Sequence, residues 1–330
     1  MEKRVSIIVP CYNMEKYIIR FLDSVIAQEY RNIELIMVND GSTDKTESVI
    51  IDYKNRLKHV DVELVYITQK NIGVAGSINT GLAVFTGDYL TWCDPDDFFM
   101  PGSIEKKVQF LEDNHQYGLV RTDCYIFNEE NLTNPIGVMS GKHPNRFKED
   151  LFEDIIRKNN IYITPGCYMV RASAFLNVIP SRKIYPSKRG QNYQLLLPVT
   201  HKYKCGYIDE PLYSYIIYAN SHSHSDNTLK KKIVQCADTE DILRNVISSM
   251  DVDKEYYSRV ITERFLRSKL SIAAFYRDKA LAEVYFSNLK NMDCVTRGDI
   301  KSYLISRNIF INVAIRGLSK VRRVIFGWLK

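Results

Sequence analysis

Tyr89-Leu90-Thr91-Trp92-Cys93-Asp94-Pro95-Asp96-Asp97 runs from a short apolar segment directly into three carboxylates within four positions. Tyr89 to Cys93 is aromatic and β-branched, and the turn pair Gly87-Asp88 leads into it, so it reads as a buried strand. The acids then stand where a strand leaves its sheet, which in open α/β sheets is the edge where ligands bind. Clustered carboxylates repel one another and need a cation beside them. Oxygen ligands suit a hard divalent ion, Mg²⁺ or Mn²⁺, shared with substrate phosphates. The plainer alternative is a solvated acidic turn.

Upstream of this stretch, strands and helices alternate. Val5 to Pro10 is an apolar strand, and Glu15 to Ala27 reads as a helix with Ile18, Leu22, Val25 and Ile26 on one face. Ile33 to Val38 is a second strand, closed by the turn Asn39-Asp40-Gly41-Ser42. Asp44, with Glu47 three residues on, has the spacing of a helix capping box. Asp61 to Ile67 is a third strand, and Gly73 opens a helix to about Phe85. This alternation predicts an α/β fold with a mostly parallel central sheet and right-handed crossovers. After Asp97 the pattern weakens. Ser103 to Asn114 reads as a helix, Leu119 to Phe127 as a strand, and residues 128–145 are polar and turn-rich. From Leu229 onward the pattern is helical.

The length predicts about two domains. Seven scattered cysteines include no CxxC pair, so neither a disulfide framework nor a zinc site is expected, and a reducing cytoplasm fits. The apolar run after Met1-Glu2-Lys3-Arg4 is too short for a secretory signal, and no stretch approaches the ~20 apolar residues of a membrane span. The net charge of +6 is localised. Residues 301–330 hold seven basic residues and no acid, leaving 38 Lys and Arg against 39 acids in residues 1–300. A near-neutral body argues against nucleic-acid binding and points to one local anionic partner.

Three strand ends carry polar residues suited to a nucleotide: Tyr12-Asn13, Asp40-Gly41 and Asp94-Pro95-Asp96. A Tyr12 ring can stack on a base, and an Asp40 carboxylate can accept hydrogen bonds from base or ribose. Singly, Tyr12 could cover a sheet edge and Asp40 could cap its own turn. Together at successive strand ends they favour a site. The segments VSIIVPCYNMEKYI, IELIMVNDGSTDKT, NIGVAGSINTGL and GDYLTWCDPDD, in this order, resemble glycosyltransferase family 2 over residues 4–100, and more loosely to about residue 224. The resemblance implies a GT-A fold and inverting sugar transfer from a nucleotide donor, usually UDP-linked. It implies a nucleotide site of Pro10, Tyr12, Asn13, Asp40, Asn71, Gly73 and Asp94, with a metal at Asp94 and Asp96.

Two positions depart from the family pattern. The family often has Ala-Arg-Asn where this chain has Ser77-Ile78-Asn79, so a basic contact is missing at Ile78. Many members place Glu-Asp at the start of an acceptor-side helix, the Asp being the general base. Here Gln191-Asn192 stands there, and an amide cannot take a proton from a sugar hydroxyl. Asp97 and Asp123 are substitutes by residue type, while Gln191 and Asn192 can still hydrogen-bond the acceptor. Related enzymes often place a polar metal- or diphosphate-binding residue near His222 and His224; these are candidate ligands or solvated loop residues. Arg121, Arg171, Lys188 and Arg189 could meet diphosphate or acceptor charge.

At about 100° per residue, the tail from Phe310 to Trp328 gathers Val313, Leu318, Val321 and Ile325 on one face, with Arg316, Lys320 and Arg323 opposite. A basic amphipathic helix ending in Trp reads as binding an anionic membrane through residues 307–330, against docking on its own body. The expectation is therefore a GT-A domain at 1–225, with a nucleotide half at 1–100 and an acceptor half at 101–225. A helical region at 226–330 follows. The activity expected is metal-assisted glycosyl transfer to a glycan or lipid-linked acceptor, peripheral on the inner face of the cell membrane. The rival from another class is a catalytically silent sugar-nucleotide-binding subunit. A dinucleotide-dependent oxidoreductase is disfavoured, since Gly73 and Gly76 form no GxGxxG after a strand.

Overall fold

The computed structural model describes residues 2–159, 161–187, 189–218 and 228–307. The chain divides into two compact units, Met1–Ala219 and Asn220–Lys330. The boundary expected at 225, His222, His224, Lys188 and the tail helix beyond residue 307 lie outside the described residues.

The first unit is built on an eight-stranded sheet. Strands β1 (Val5–Cys11) and β2 (Ile33–Asn39) are buried at every position, as continuous apolar runs in parallel sheets are. With β3 (Val62–Thr68) and β4 (Tyr89–Trp92) they form the parallel order β3-β2-β1-β4. All four end at one edge, and the acids leave from there. The second half adds antiparallel pairings to this mostly parallel sheet. Strand β5 (Tyr117–Asn128) pairs antiparallel with the short β6 (Gly137–Val138). Strand β7 (Tyr168–Arg171) lies between β4 and β5 and runs against both. Its direction is set at both ends: Gly166 N donates to Trp92 O at the finish of β4, and Ala172 N to Asp88 O at its start. Strand β8 (Lys204–Ile217) runs parallel to β5, with register shifts around Asp123.

Helix α1 (Ile18–Ile26) buries Ile18, Phe21, Leu22 and Val25, the i, i+3, i+4, i+7 face of an amphipathic helix. Each such side chain contributes about 1.5–3 kcal/mol. The helix starts later than the sequence suggests. The N–H of Met14 is held by Thr46 Oγ1 and that of Glu15 by Asp44 Oδ2, which commits the segment to a turn. Helices α2 (Thr46–Asp52) and α3 (Lys54–His59) follow. Asp44 accepts from Thr46 N at 3.0 Å, two residues on, rather than forming the expected box with Glu47. Helix α4 (Val74–Val84) packs tightly on β1: a Cβ on Gly81 would stand 2.5 Å from Ile8 Cγ2. Helices α5 (Ser103–Asp113), α6 (Phe152–Arg157), α7 (Ala172–Val178) and α8 (Gln191–Lys202) complete this unit.

The second unit is helical where described: α9 (Leu229–Ser249), α10 (Lys254–Tyr276), α11 (Lys279–Asn291) and α12 (Arg297–Arg307). Asp253 and Asp278 cap α10 and α11 by accepting from Tyr256 N and Leu281 N. Leu270, Ala273, Ala282 and Leu289 form its buried core.

Candidate active site

The carboxyl ends of β2, β1 and β4 are neighbours, so Asp40, Tyr12 and Asp94 emerge side by side. Pro10 is buried in β1, and the Tyr12 ring beyond it is 45% exposed, as a stacking surface must be. Asn13 takes a positive φ of 55°. Its Oδ1 accepts from Thr43 N at 2.8 Å and its own N–H donates to Ser42 Oγ at 3.0 Å, tying the β1 and β2 exits together.

Asp40 is buried, and its partners are all donors. Oδ1 accepts from Gln69 Nε2 (2.7 Å) and Ile72 N (3.0 Å), and Oδ2 from Gly73 N (2.8 Å). Gly73 has φ 83°, which favours glycine and aims its N–H at the carboxylate. Asp40 therefore seats the loop that carries the exposed Asn71, and one lone pair on Oδ2 is left for another donor.

Asp94 and Asp96 keep some exposed surface in crowded surroundings. Burial, then the charge of Asp96, pushes Asp94 up to about 7. Burial also raises Asp96, offset in part by its own N–H and by Arg20. Among the described residues, no neighbouring group donates to the side-chain oxygens of this pair. Two carboxylates short of donors and repelling each other fit a hard divalent cation. Asp94 and Asp96 are two oxygen donors that could hold such an ion; among the described residues no set of three His, Cys, Asp or Glu side chains converges on one point. Asp97 turns inward, is 3% exposed, and accepts from Ile216 N at 2.8 Å.

Two residues that sequence reasoning missed hold this acidic turn. Arg20 Nη2 donates to Asp96 O at 2.7 Å and to the Tyr218 hydroxyl at 2.5 Å, and Tyr218 donates to Asp96 O at 2.8 Å. Arg20 stands one turn of helix from Tyr17, whose ring meets Tyr218 at 4.7 Å. No local sequence signal links α1 to the end of β8.

In the second half of this unit, Gln191 and Asn192 open α8 after Gly190 (φ 67°). Asn192 Oδ1 accepts from Trp92 Nε1 at 3.0 Å and from the Tyr168 hydroxyl at 2.7 Å. That brings the start of α8 to the strand bearing Asp94. Among the described residues, the Gln191 side chain makes only a long contact to Ser187 O at 3.5 Å. The substitute acid Asp123 is buried and engaged by Cys124 N, Ser140 N and Ser140 Oγ. Arg171 is held at the far edge of the sheet by Tyr117 O and Leu111 O. Ile78 is a core residue, 1% exposed. Its neighbour Asn79 clips Ile184 both ways, donating to its O (2.9 Å) and accepting from its N (2.7 Å), and so fixes the loop before α8.

The model of the family described as glycosyl transferase family 2 matches residues 6–179. The chain is 27% identical over 223 residues, 67% of its length, to glycosyltransferase GlyA of Streptococcus pneumoniae, and spans 30% of that protein. Its fold is similar to S. aureus TarS 1–349 in complex with UDP-GlcNAc (TM-score 0.61, 17% identity, 95% of this chain and 92% of that one). It is also similar to the mannosyltransferase PcManGT from Pyrobaculum calidifontis with GDP-Man and Mn²⁺ (TM-score 0.56, 16% identity, 96% and 88%). With its GT-A-type sheet and the matched residues spanning β1 to α7, this chain belongs to glycosyl transferase family 2.

Proposed function

We propose that the chain transfers a hexosyl or N-acetylhexosaminyl unit from a UDP-linked donor to a hydroxyl of a glycan or lipid-linked acceptor, with inversion. One observation carries this reading: Asp94 and Asp96, short of donors, stand at the end of β4 beside the exposed Tyr12 ring at the end of β1. Tyr12 stacks beneath the base, and the loop seated on Asp40 brings Asn71 to the nucleotide. Asp94 and Asp96 hold Mg²⁺ or Mn²⁺ with the donor diphosphate, and His222 or His224 can complete the set. When bound, such an ion neutralises charge developing on the leaving diphosphate. The nucleotide sugars and Mn²⁺ of TarS and PcManGT support this assignment.

Asp97 braces β8 through Ile216 N, so we assign it to the framework of the acidic turn rather than to proton transfer. Asn192 orients the acceptor through its Nδ2 donor. The tail from residue 307 anchors the enzyme to an anionic membrane at the inner face. Asn192 also favours a second reading, a sugar-nucleotide-binding subunit without turnover, because a carboxylate base is missing from that position. Release of UDP in the presence of acceptor separates the two. Asp96→Asn, or excess EDTA, is expected to abolish that release with the melting temperature preserved. Full activity under either condition refutes the metal role.

A further inference from the structure

Four side chains cross the sheet in one row on the face that carries Asn192. In register, Tyr207 of β8 pairs with Arg121 of β5, and Arg121 with Tyr168 of β7. Residues paired in register project from the same face. The Tyr168 ring meets the Trp92 indole of β4 edge-on, with centroids 6.1 Å apart. Strands lie about 4.8 Å apart, so Arg121 stands about 10 Å along the sheet from Trp92. That is roughly two sugar units from the end of β4.

At Arg121 the row opens into a narrow crevice with room for about one water-sized group, lined among others by Tyr162, Thr164, Ser140 and Tyr207. It has room for the tip of an oxyanion, not for a sugar ring. Arg121 is 6% exposed. Its Nη2 donates to the main-chain oxygens of Arg146 and Lys148, and its guanidinium lies 4.9 Å from the Tyr207 ring centroid. Among the described residues its Nε has no hydrogen-bond partner and neither has the Tyr207 hydroxyl, which Ser140 faces. The other charges of the crevice are already engaged. Asp123 accepts from Ser140 and Cys124, and Arg146 grips Asp209 through Nε and Nη2. Among the described residues no carboxylate pairs with Arg121. A buried guanidinium without a counter-ion is costly, and Arg is the residue best shaped for carboxylate or phosphate.

We propose that this crevice binds a compact oxyanion borne by the acceptor, a carboxylate or a phosphate, through Arg121 Nε and the Tyr207 hydroxyl. The preferred acceptor is then an acidic or phosphorylated glycan unit whose reacting hydroxyl reaches Asp94 and Asp96 along the row. The word acceptor rests on the transferase reading; the anion site does not.

The test uses the full chain with inorganic phosphate and acetate as separate probes, against chloride at matched ionic strength. At least one probe should bind saturably, one per chain, and the tighter one identifies the charged group. Tyr207→Phe keeps the ring under the guanidinium and should weaken that binding about five- to tenfold, the worth of one hydrogen bond. Arg121→Gln should abolish it, with UDP affinity unchanged in both variants. The same anion should inhibit acceptor-dependent UDP release in the wild type and not in Arg121→Gln. No binding beyond chloride, or wild-type binding in both variants, overturns the site. Equal inhibition in wild type and Arg121→Gln overturns its link to the acceptor. A chain that binds the probe yet releases no UDP with any acceptor refutes the transferase reading alone.

Discussion

Trp92 Nε1 donates to Asn192 Oδ1 across 3.0 Å, joining the strand that carries the acidic pair to the first turn of α8. Tyr168 donates to the same oxygen, so the amide carbonyl is engaged and Nδ2 is the group left for a ligand. In Asn192→Asp one oxygen can accept both donors while the second is free to act as a base. This variant should fold as the wild type and raise acceptor-dependent UDP release at least tenfold, within the range of general-base catalysis. A new acidic limb should appear in its pH–rate profile. Asn192→Ala should instead lower the melting temperature, because a buried indole N–H and a buried phenol lose their acceptor, at about 1–3 kcal/mol each.

Asp40 accepts from three donors and gives nothing back, so an amide is a poor substitute for it. In Asp40→Asn the new NH₂ group must face Gly73 N–H or the Gln69 amide. Both Asp40→Asn and Asp40→Ala should release the 69–73 loop. A lost charge-assisted hydrogen bond costs about 1.5–3 kcal/mol, roughly a tenfold or greater loss of UDP affinity. Calorimetric titration with UDP checks this, and Tyr12→Ala should weaken UDP binding without lowering the melting temperature.

Lys107 is wholly buried, with Nζ donating to Ser103 Oγ (3.0 Å) and Gly166 O (2.6 Å). Burial pulls its pKa down to about 8 from 10.5, against the opposing influence of the Cys167, Cys93 and Cys124 thiols. Between those two pH values the unfolded chain binds a proton that the folded chain has released. Stability contributed by this group therefore rises with pH across the window. Wild type should gain on Lys107→Met by on the order of 3 kcal/mol between pH 8 and 10.5. Chemical denaturation of both proteins at several pH values measures the difference, in which shared titrations cancel.

Removing residues 308–330 leaves the ion pair of Arg307 with Glu283 in place. It should release the protein from anionic vesicles and cut transfer to a lipid-linked acceptor while sparing UDP binding. Each basic residue near an anionic surface contributes about 1 kcal/mol, screened by salt. Co-sedimentation with vesicles, beside a melting curve, checks this. If the intact chain stays in the supernatant at low salt, the membrane role is refuted.

The sequence by itself carried the first four strands, their helices and the polar strand ends at Tyr12, Asp40 and Asp94. Those signals are local: apolar runs stop at turn residues, and acids follow directly on a buried strand. Even there, the start of α1 was decided by Asp44 and Thr46 of a later segment. The direction of β7, the partners of Asn192 and the surroundings of the Arg121 Nε belong to the tertiary structure alone. Trp92 and Asn192 are 100 residues apart, and Arg121 and Tyr207 meet only because β5 and β8 lie side by side. Hydrophobic periodicity says which face of a strand is buried; it does not say which strand lies next to it. That choice decided whether each buried polar group found a partner, and among the described residues Arg121 Nε found none.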